Sequence, residues 1–143
     1  MVKTTILMIF ILPLMVALTK PDLAAAAEST HSLATTAEET LKTIKSYLAE
    51  KKDDAIKHGQ ALLAKTDTEI EKLEADAAKA SGETRKAYDQ ELKSLKQKRA
   101  EASKKLDELA NASTSSWDSA KQGFAEAYKA LYDAYKEALA KFE

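Results

Sequence analysis

The 143-residue chain has no cysteine, two prolines, three glycines, two histidines and one tryptophan. Without cysteine it has no disulfide, no thiolate nucleophile, no cysteine-bound metal and no thiol to carry a lipid. Both prolines, Pro13 and Pro21, lie near the N-terminus. The rest of the chain therefore lacks the strongest helix breaker, and only Gly59, Gly82 and Gly123 punctuate it. No alternating run of β-branched and aromatic residues argues for a strand. An excess of either charge is missing as well: 22 basic residues face 23 acidic ones, for a net charge of −1. Such a balance gives no long-range attraction to nucleic acid.

What remains is rich in Ala, Lys, Glu and Leu, with charges of both signs interspersed, as in Glu69, Glu71, Lys72 and Glu74. This is the composition of a solvated helical surface and reads as all-α. The first 27 residues stand apart. Lys3, an apolar run from Ile6 to Leu18 and the small residues Ala25 to Ala27 make the pattern of a cleaved secretory signal peptide, with a run too short to span a bilayer comfortably. The expected location is the periplasm or the exterior. Residues 28–36 are rich in Ala, Ser and Thr and read as a flexible leader. Residues 37–143 read as the folded domain.

That domain carries two heptad arms. The first places Ala37, Leu41, Ile44, Leu48, Ile56, Gly59, Leu63, Ile70, Leu73 and Ala77 at gaps of mostly three, four or seven. The second does the same with Tyr88, Leu92, Leu95, Ala102, Leu106, Leu109, Trp117, Ala120, Phe124 and Tyr128. Each arm slips phase once, by eight residues: Leu48 to Ile56 and Leu109 to Trp117. Folding the chain about Ser81-Gly82 sets Leu48 opposite Trp117 and Ile56 opposite Leu109, so the slips meet. In this register the numbers of facing residues add to 165. Ala77 then faces Tyr88, Leu73 faces Leu92, Ile70 faces Leu95, Leu63 faces Ala102 and Leu41 faces Phe124. The pattern predicts a long antiparallel helical hairpin, a two-stranded coiled coil. Gly82 supplies the left-handed turn residue and Thr84 the cap of the second arm. An arm of 45 residues would make a rod about 65–70 Å long at ~1.5 Å per residue. The alternative is a three-helix arrangement with a break near Ser113–Ser116, because Asn111 to Ser116 is a poor helix interior and Ser115-Ser116-Trp117-Asp118 resembles a capping box.

Candidate chemistry is sparse. His31 and His58 lack the helical spacing of a metal pair. No phosphate-binding glycine loop or nucleophile elbow occurs. The sequence gives no catalytic residue, no cofactor and no metal site, and the expected protein is not an enzyme. Thr66 and Arg99 form a polar layer across the seam, one that either fixes the register or leaves Arg99 to snorkel outward. The strongest signal is aromatic: Trp117, Phe124, Tyr128, Leu131 and Tyr135 form one helical stripe with Tyr132 beside it. The stripe reads either as core or as an apolar patch for self-association, a protein partner or a membrane surface. Interleaved acids (Asp118, Glu126, Asp133 and Glu137) disfavour nucleic-acid stacking, and the mixed-charge polar face disfavours a membrane surface.

The segment from Tyr88 to Phe142 carries Tyr88, Leu92, Leu95, Lys98, Arg99, then a Ser/Ala-rich joint, then Trp117, Lys121 and Gly123. In this it resembles small bacterial coiled-coil domain-containing proteins, some of them of the stress-response type, over residues 60–142. The resemblance implies a helical protein and a stress-related role, and it assigns no functional residues. The expected activity is protein binding, scaffolding or homo-oligomer formation.

Overall fold

The first helix begins where the small, helix-favouring residues do and ends just before Tyr47. The computed structural model describes residues 23–142, with side chains from His31 onward. Helix α1 spans Leu23–Ser46, α2 Lys52–Lys79, α3 Gly82–Ala110 and α4 Trp117–Phe142. Short 3-10 turns, Ala49–Lys51 and Thr114–Ser116, precede α2 and α4. The described chain is all-helical, as the composition requires.

The helices pack α1 on α2, α2 on α3, α3 on α4, and α4 back on α1, closing a four-helix bundle. Side-chain contacts fix the directions. Asp67 meets Arg99 and Glu74 meets Lys96, so α2 and α3 run antiparallel. Tyr88 stacks on Phe142 and Glu91 pairs with Lys141, so α3 and α4 do too. Thr66 meets Tyr128 and Glu69 meets Tyr135, which makes α2 and α4 parallel diagonal partners.

The two arms are therefore not straight. Each stops at its phase slip, arm one at Tyr47-Leu48 and arm two at Asn111–Ser113. The long rod and the uninterrupted second arm are corrected accordingly. The break near Ser113–Ser116 is present, but a second break in arm one makes four helices rather than three. The physical reason is a second apolar stripe on α2. Ala55, Leu62, Thr66 and Glu69 are buried beside the first stripe of Gly59, Leu63, Ile70, Leu73 and Ala77. One neighbouring helix covers one stripe; two stripes need two neighbours.

The expected flexible leader is likewise helix: α1 runs through residues 28–36, and Leu33 is fully buried. The signal-peptide assignment lies outside the described residues up to position 22, and α1 includes 23–27.

Local chemistry explains the turns. Gly82 takes φ +62°, a left-handed conformation that costs other residues steric strain. Helix α3 starts there, after Ser81, so Thr84 is inside the helix and is not its cap. Arg85 donates from Nη1 to the Ala77 carbonyl at 3.1 Å, which also accepts the Ala80 N–H at the end of α2. The α3–α4 turn is held by a capping box two residues earlier than expected. The Ser113 Oγ accepts from the Ser116 N–H, and the Ser113 N–H donates to the Ser116 Oγ.

Candidate functional site

Aromatic burial decides the fate of the stripe. Trp117, Phe124, Tyr128, Leu131 and Tyr135 are at most 3 % exposed. They form the middle of the bundle with Leu33 and Ile44 of α1 and Leu62 of α2. The expectation of a patch open to partners is corrected for these five residues. The covering comes from α1, which packs over α4 and includes residues 28–36, the expected leader. Tyr132 is half-buried at the margin, with the Lys136 ammonium 5.0 Å from its ring centroid.

The Thr66–Arg99 layer is also rearranged. Thr66 is fully buried; its Oγ1 donates to the Leu62 carbonyl at 2.9 Å and lies 2.9 Å from the Tyr128 hydroxyl. With that proton committed, the Tyr128 O–H is the donor to Thr66. Burial pushes the Tyr128 phenol up to about 12; the Thr66 hydroxyl, by turning to donate to the phenolate once it forms, pulls it down somewhat, and Tyr132 adds to the rise. Arg99 instead leaves the seam and grips Asp67 with two bonds, Nε to Oδ1 at 2.6 Å and Nη2 to Oδ2 at 2.8 Å. Of the two sequence readings of Arg99, the snorkelling one describes it.

A second buried polar pair was not legible as such. Glu69 is 7 % exposed, accepts from Tyr135 Oη at 3.1 Å and pairs with Lys72 at 2.8 Å. The 3–4 spacing of Leu62, Thr66 and Glu69 could have revealed it, since it places Glu69 on the inward face.

The two bends meet at one end of the bundle and are laced together. Lys121 is 7 % exposed, and its Nζ donates to the carbonyls of Lys45 and Tyr47, each at 2.9 Å. These are orphan acceptors at the end of α1, where a cation also meets the negative end of the helix dipole. Trp117 Nε1 donates to the same Tyr47 carbonyl at 2.9 Å. In the opposite sense, Lys52 of α2 donates to the Ala112 carbonyl beyond the end of α3. The two ammonium groups lie 5.9 and 5.8 Å from the Trp117 ring centroid. Leu48 stands beside this knot at 68 % exposure, the exposed large hydrophobic residue among those described.

Two open grooves mark the surface. One, about 410 Å³, lies between α1 and α4; Leu41 and Ala125 line it together with Lys45, Lys129, Asp118 and Glu126. The other, about 600 Å³, lies between α2 and α3 near Ala77, Leu92, Arg85 and Asp89. Among the described residues, no three His, Asp or Glu side chains converge as metal ligands. His31 and His58 are exposed; the His58 Nε2 lies 3.1 Å from the Tyr47 hydroxyl. None of the described helices is long and apolar enough to cross a membrane. No family model matches the chain, and neither a curated protein nor a solved structure shows significant similarity to it.

Proposed function

We propose that this chain is an exported, non-enzymatic helical protein that acts by binding or scaffolding another protein. The observation that carries the reading is the α1–α4 groove. Its aliphatic floor, Leu41 and Ala125, is flanked by Lys45 and Lys129 of one sign and Asp118 and Glu126 of the other. A mixed-charge rim around an apolar floor suits a protein segment better than an anionic lipid or nucleic acid, which would call for a basic surface. Export follows from the signal-peptide pattern, and a place in envelope stress from the resemblance alone.

The arms, on this reading, remain a coiled-coil hairpin in mirror register about Ser81-Gly82, folded double at its slips. Contacts from both halves support it. Gly59 lies against Leu106, Asp67 grips Arg99, Lys52 reaches Ala112, Tyr47 receives Trp117 and Lys45 receives Lys121. The numbers of each pair add to 164, 165 or 166.

Affinity capture from the native envelope, read by mass spectrometry, tests the function. A protein recovered by the wild-type chain but lost when Lys45 and Lys129 are reversed to Glu supports it. Equal recovery by that variant, or liposome binding without protein capture, contradicts it.

A further inference from the structure

We infer that two copies of this chain exchange halves: both bends straighten, and the α1–α4 pair of each copy packs on the α2–α3 pair of the other. The inference rests on the mirror register proposed above and goes further, to a partner. Three observations point to it.

The first is that the register does not change across the bends. Gly59–Leu106 and Asp67–Arg99 between α2 and α3, and Lys45–Lys121 and Tyr47–Trp117 between α1 and α4, agree with one alignment to within a residue, while the long side chains of Lys96 and Lys121 reach about one turn further, to Glu74 and Tyr47. The bends face each other, so both arms can straighten together with each half-hairpin intact. The contacts that must be exchanged are those of α1 with α2, of α3 with α4 and, on the diagonal, of α2 with α4 at Thr66–Tyr128 and Glu69–Tyr135, and a second copy offers the same ones. This is the condition for domain swapping, in which an identical element replaces the chain's own.

The second is the chemistry of the first bend. Residues 45–52 read Lys-Ser-Tyr-Leu-Ala-Glu-Lys-Lys, with no glycine or proline and several good helix formers. Local propensity favours a continuous helix there, and only the packing of the bundle interrupts it. A straight arm through residues 23–79 would reach about 85 Å at ~1.5 Å per residue.

The third is Leu48. It is 68 % exposed in the closed bundle. It is also the heptad residue after Ile44, opposite Trp117 in the mirror register. Straightening returns it to the seam, removing the large apolar side chain that the bend leaves wet. Against this stands what the bends gain: the Ser113–Ser116 capping box and the bonds from Lys121 and Trp117 to carbonyls that a continuous helix would use internally. On straightening, Lys121 keeps its ion pair with Asp118, 3.1 Å away.

The chain is refolded at high and low concentration and its mass measured by light scattering after gel filtration. A dimer that grows with refolding concentration is expected. Two surface variants should move it in opposite directions. Ser113→Ala with Ser116→Ala removes the box that exists only in the bend and should raise the dimer constant on the order of tenfold, two caps being lost per dimer. Leu48→Ser should lower it on the order of tenfold. Cysteine pairs, unique in this chain, then report topology with a short bismaleimide. Asp67→Cys with Arg99→Cys should link within one chain in monomer and dimer alike; failure to do so would refute the register and the exchange together. Lys105→Cys with Gly123→Cys should link within one chain in the monomer but between chains in the dimer. A monomer at every concentration for wild type and hinge variants, or a dimer whose Lys105–Gly123 link stays within one chain, overturns the exchange while leaving the register standing.

Discussion

Inside the bundle, the hydroxyl of Tyr128 meets the hydroxyl of Thr66 at 2.9 Å, and neither side chain is exposed to solvent. This pair bridges parallel helices on the diagonal, so it is made only when all four helices close. Thr66→Val leaves the Tyr128 O–H buried without an acceptor and should cost about 1–3 kcal/mol. Tyr128→Phe leaves Thr66 its bond to Leu62 and should cost less, about 0.5–1.5 kcal/mol. A double-mutant cycle in urea should return a coupling of roughly 1 kcal/mol; additive effects would mean that the two hydroxyls do not meet.

Tyr128 also sets an alkaline limit. Its folded-state phenol titrates at about 12, above the ordinary 10.0, chiefly because of burial. Between those values the folded chain keeps the proton and the unfolded chain releases it, so stability falls as pH rises from 10 towards 12. The contribution is intact below pH 10. Denaturant midpoints over this range should drop more steeply for wild type than for Tyr128→Phe.

Gly59 tests the closeness of α2 and α3. A Cβ there would sit 2.5 Å from Leu106 Cδ1, 3.3 Å from its Cδ2 and 3.4 Å from Phe124 Cζ. Both Leu106 methyls are in the way and Leu106 is itself buried, so rotation gives little relief. Gly59→Ala gains about 1 kcal/mol of helix propensity but pays roughly 1–3 kcal/mol of overpacking. A net loss of melting temperature is expected, partly restored by adding Leu106→Val.

Lys121 is the cap of α1. Lys121→Met keeps the apolar stem and removes the donors to Lys45 and Tyr47. Two carbonyls then lose a charged partner, and stability should fall by about 1–3 kcal/mol. Hydrogen exchange should show the loss first at the end of α1, with the Ser81-Gly82 turn unaffected.

Much of this structure was legible in the sequence, and the failures share a cause. The all-helical class, the Gly82 turn and the slips that become bends were readable, since they rest on composition and period. The break between Asn111 and Ser116 was readable from its poor helix formers, but the bend in arm one was not. Tyr47-Leu48 has helix-favouring neighbours and no breaker, so only tertiary packing stops the helix there. The second stripe through Ala55, Leu62, Thr66 and Glu69 was present but hidden by its small and polar members. Without it, α2 needs one neighbour, residues 28–36 read as a leader, and the Trp117–Tyr135 stripe is left open between core and surface. Its burial moves the candidate site to the grooves and the bends, where ordinary surface residues carry no motif.

The doubling back of the arms is tested most directly by one distance. Spin labels on Ser32→Cys and Thr68→Cys, measured by pulsed electron resonance in dilute monomer, report whether α1 lies on α2. Lys65 reaches Ser32 at 3.3 Å and Thr36 at 2.7 Å, so the labelled helices are immediate neighbours. The expected separation is a packed interhelical spacing of about 8–10 Å plus the label linkers. A distance near 54 Å, the length of a straight helix between these positions at ~1.5 Å per residue, would contradict the folded bundle.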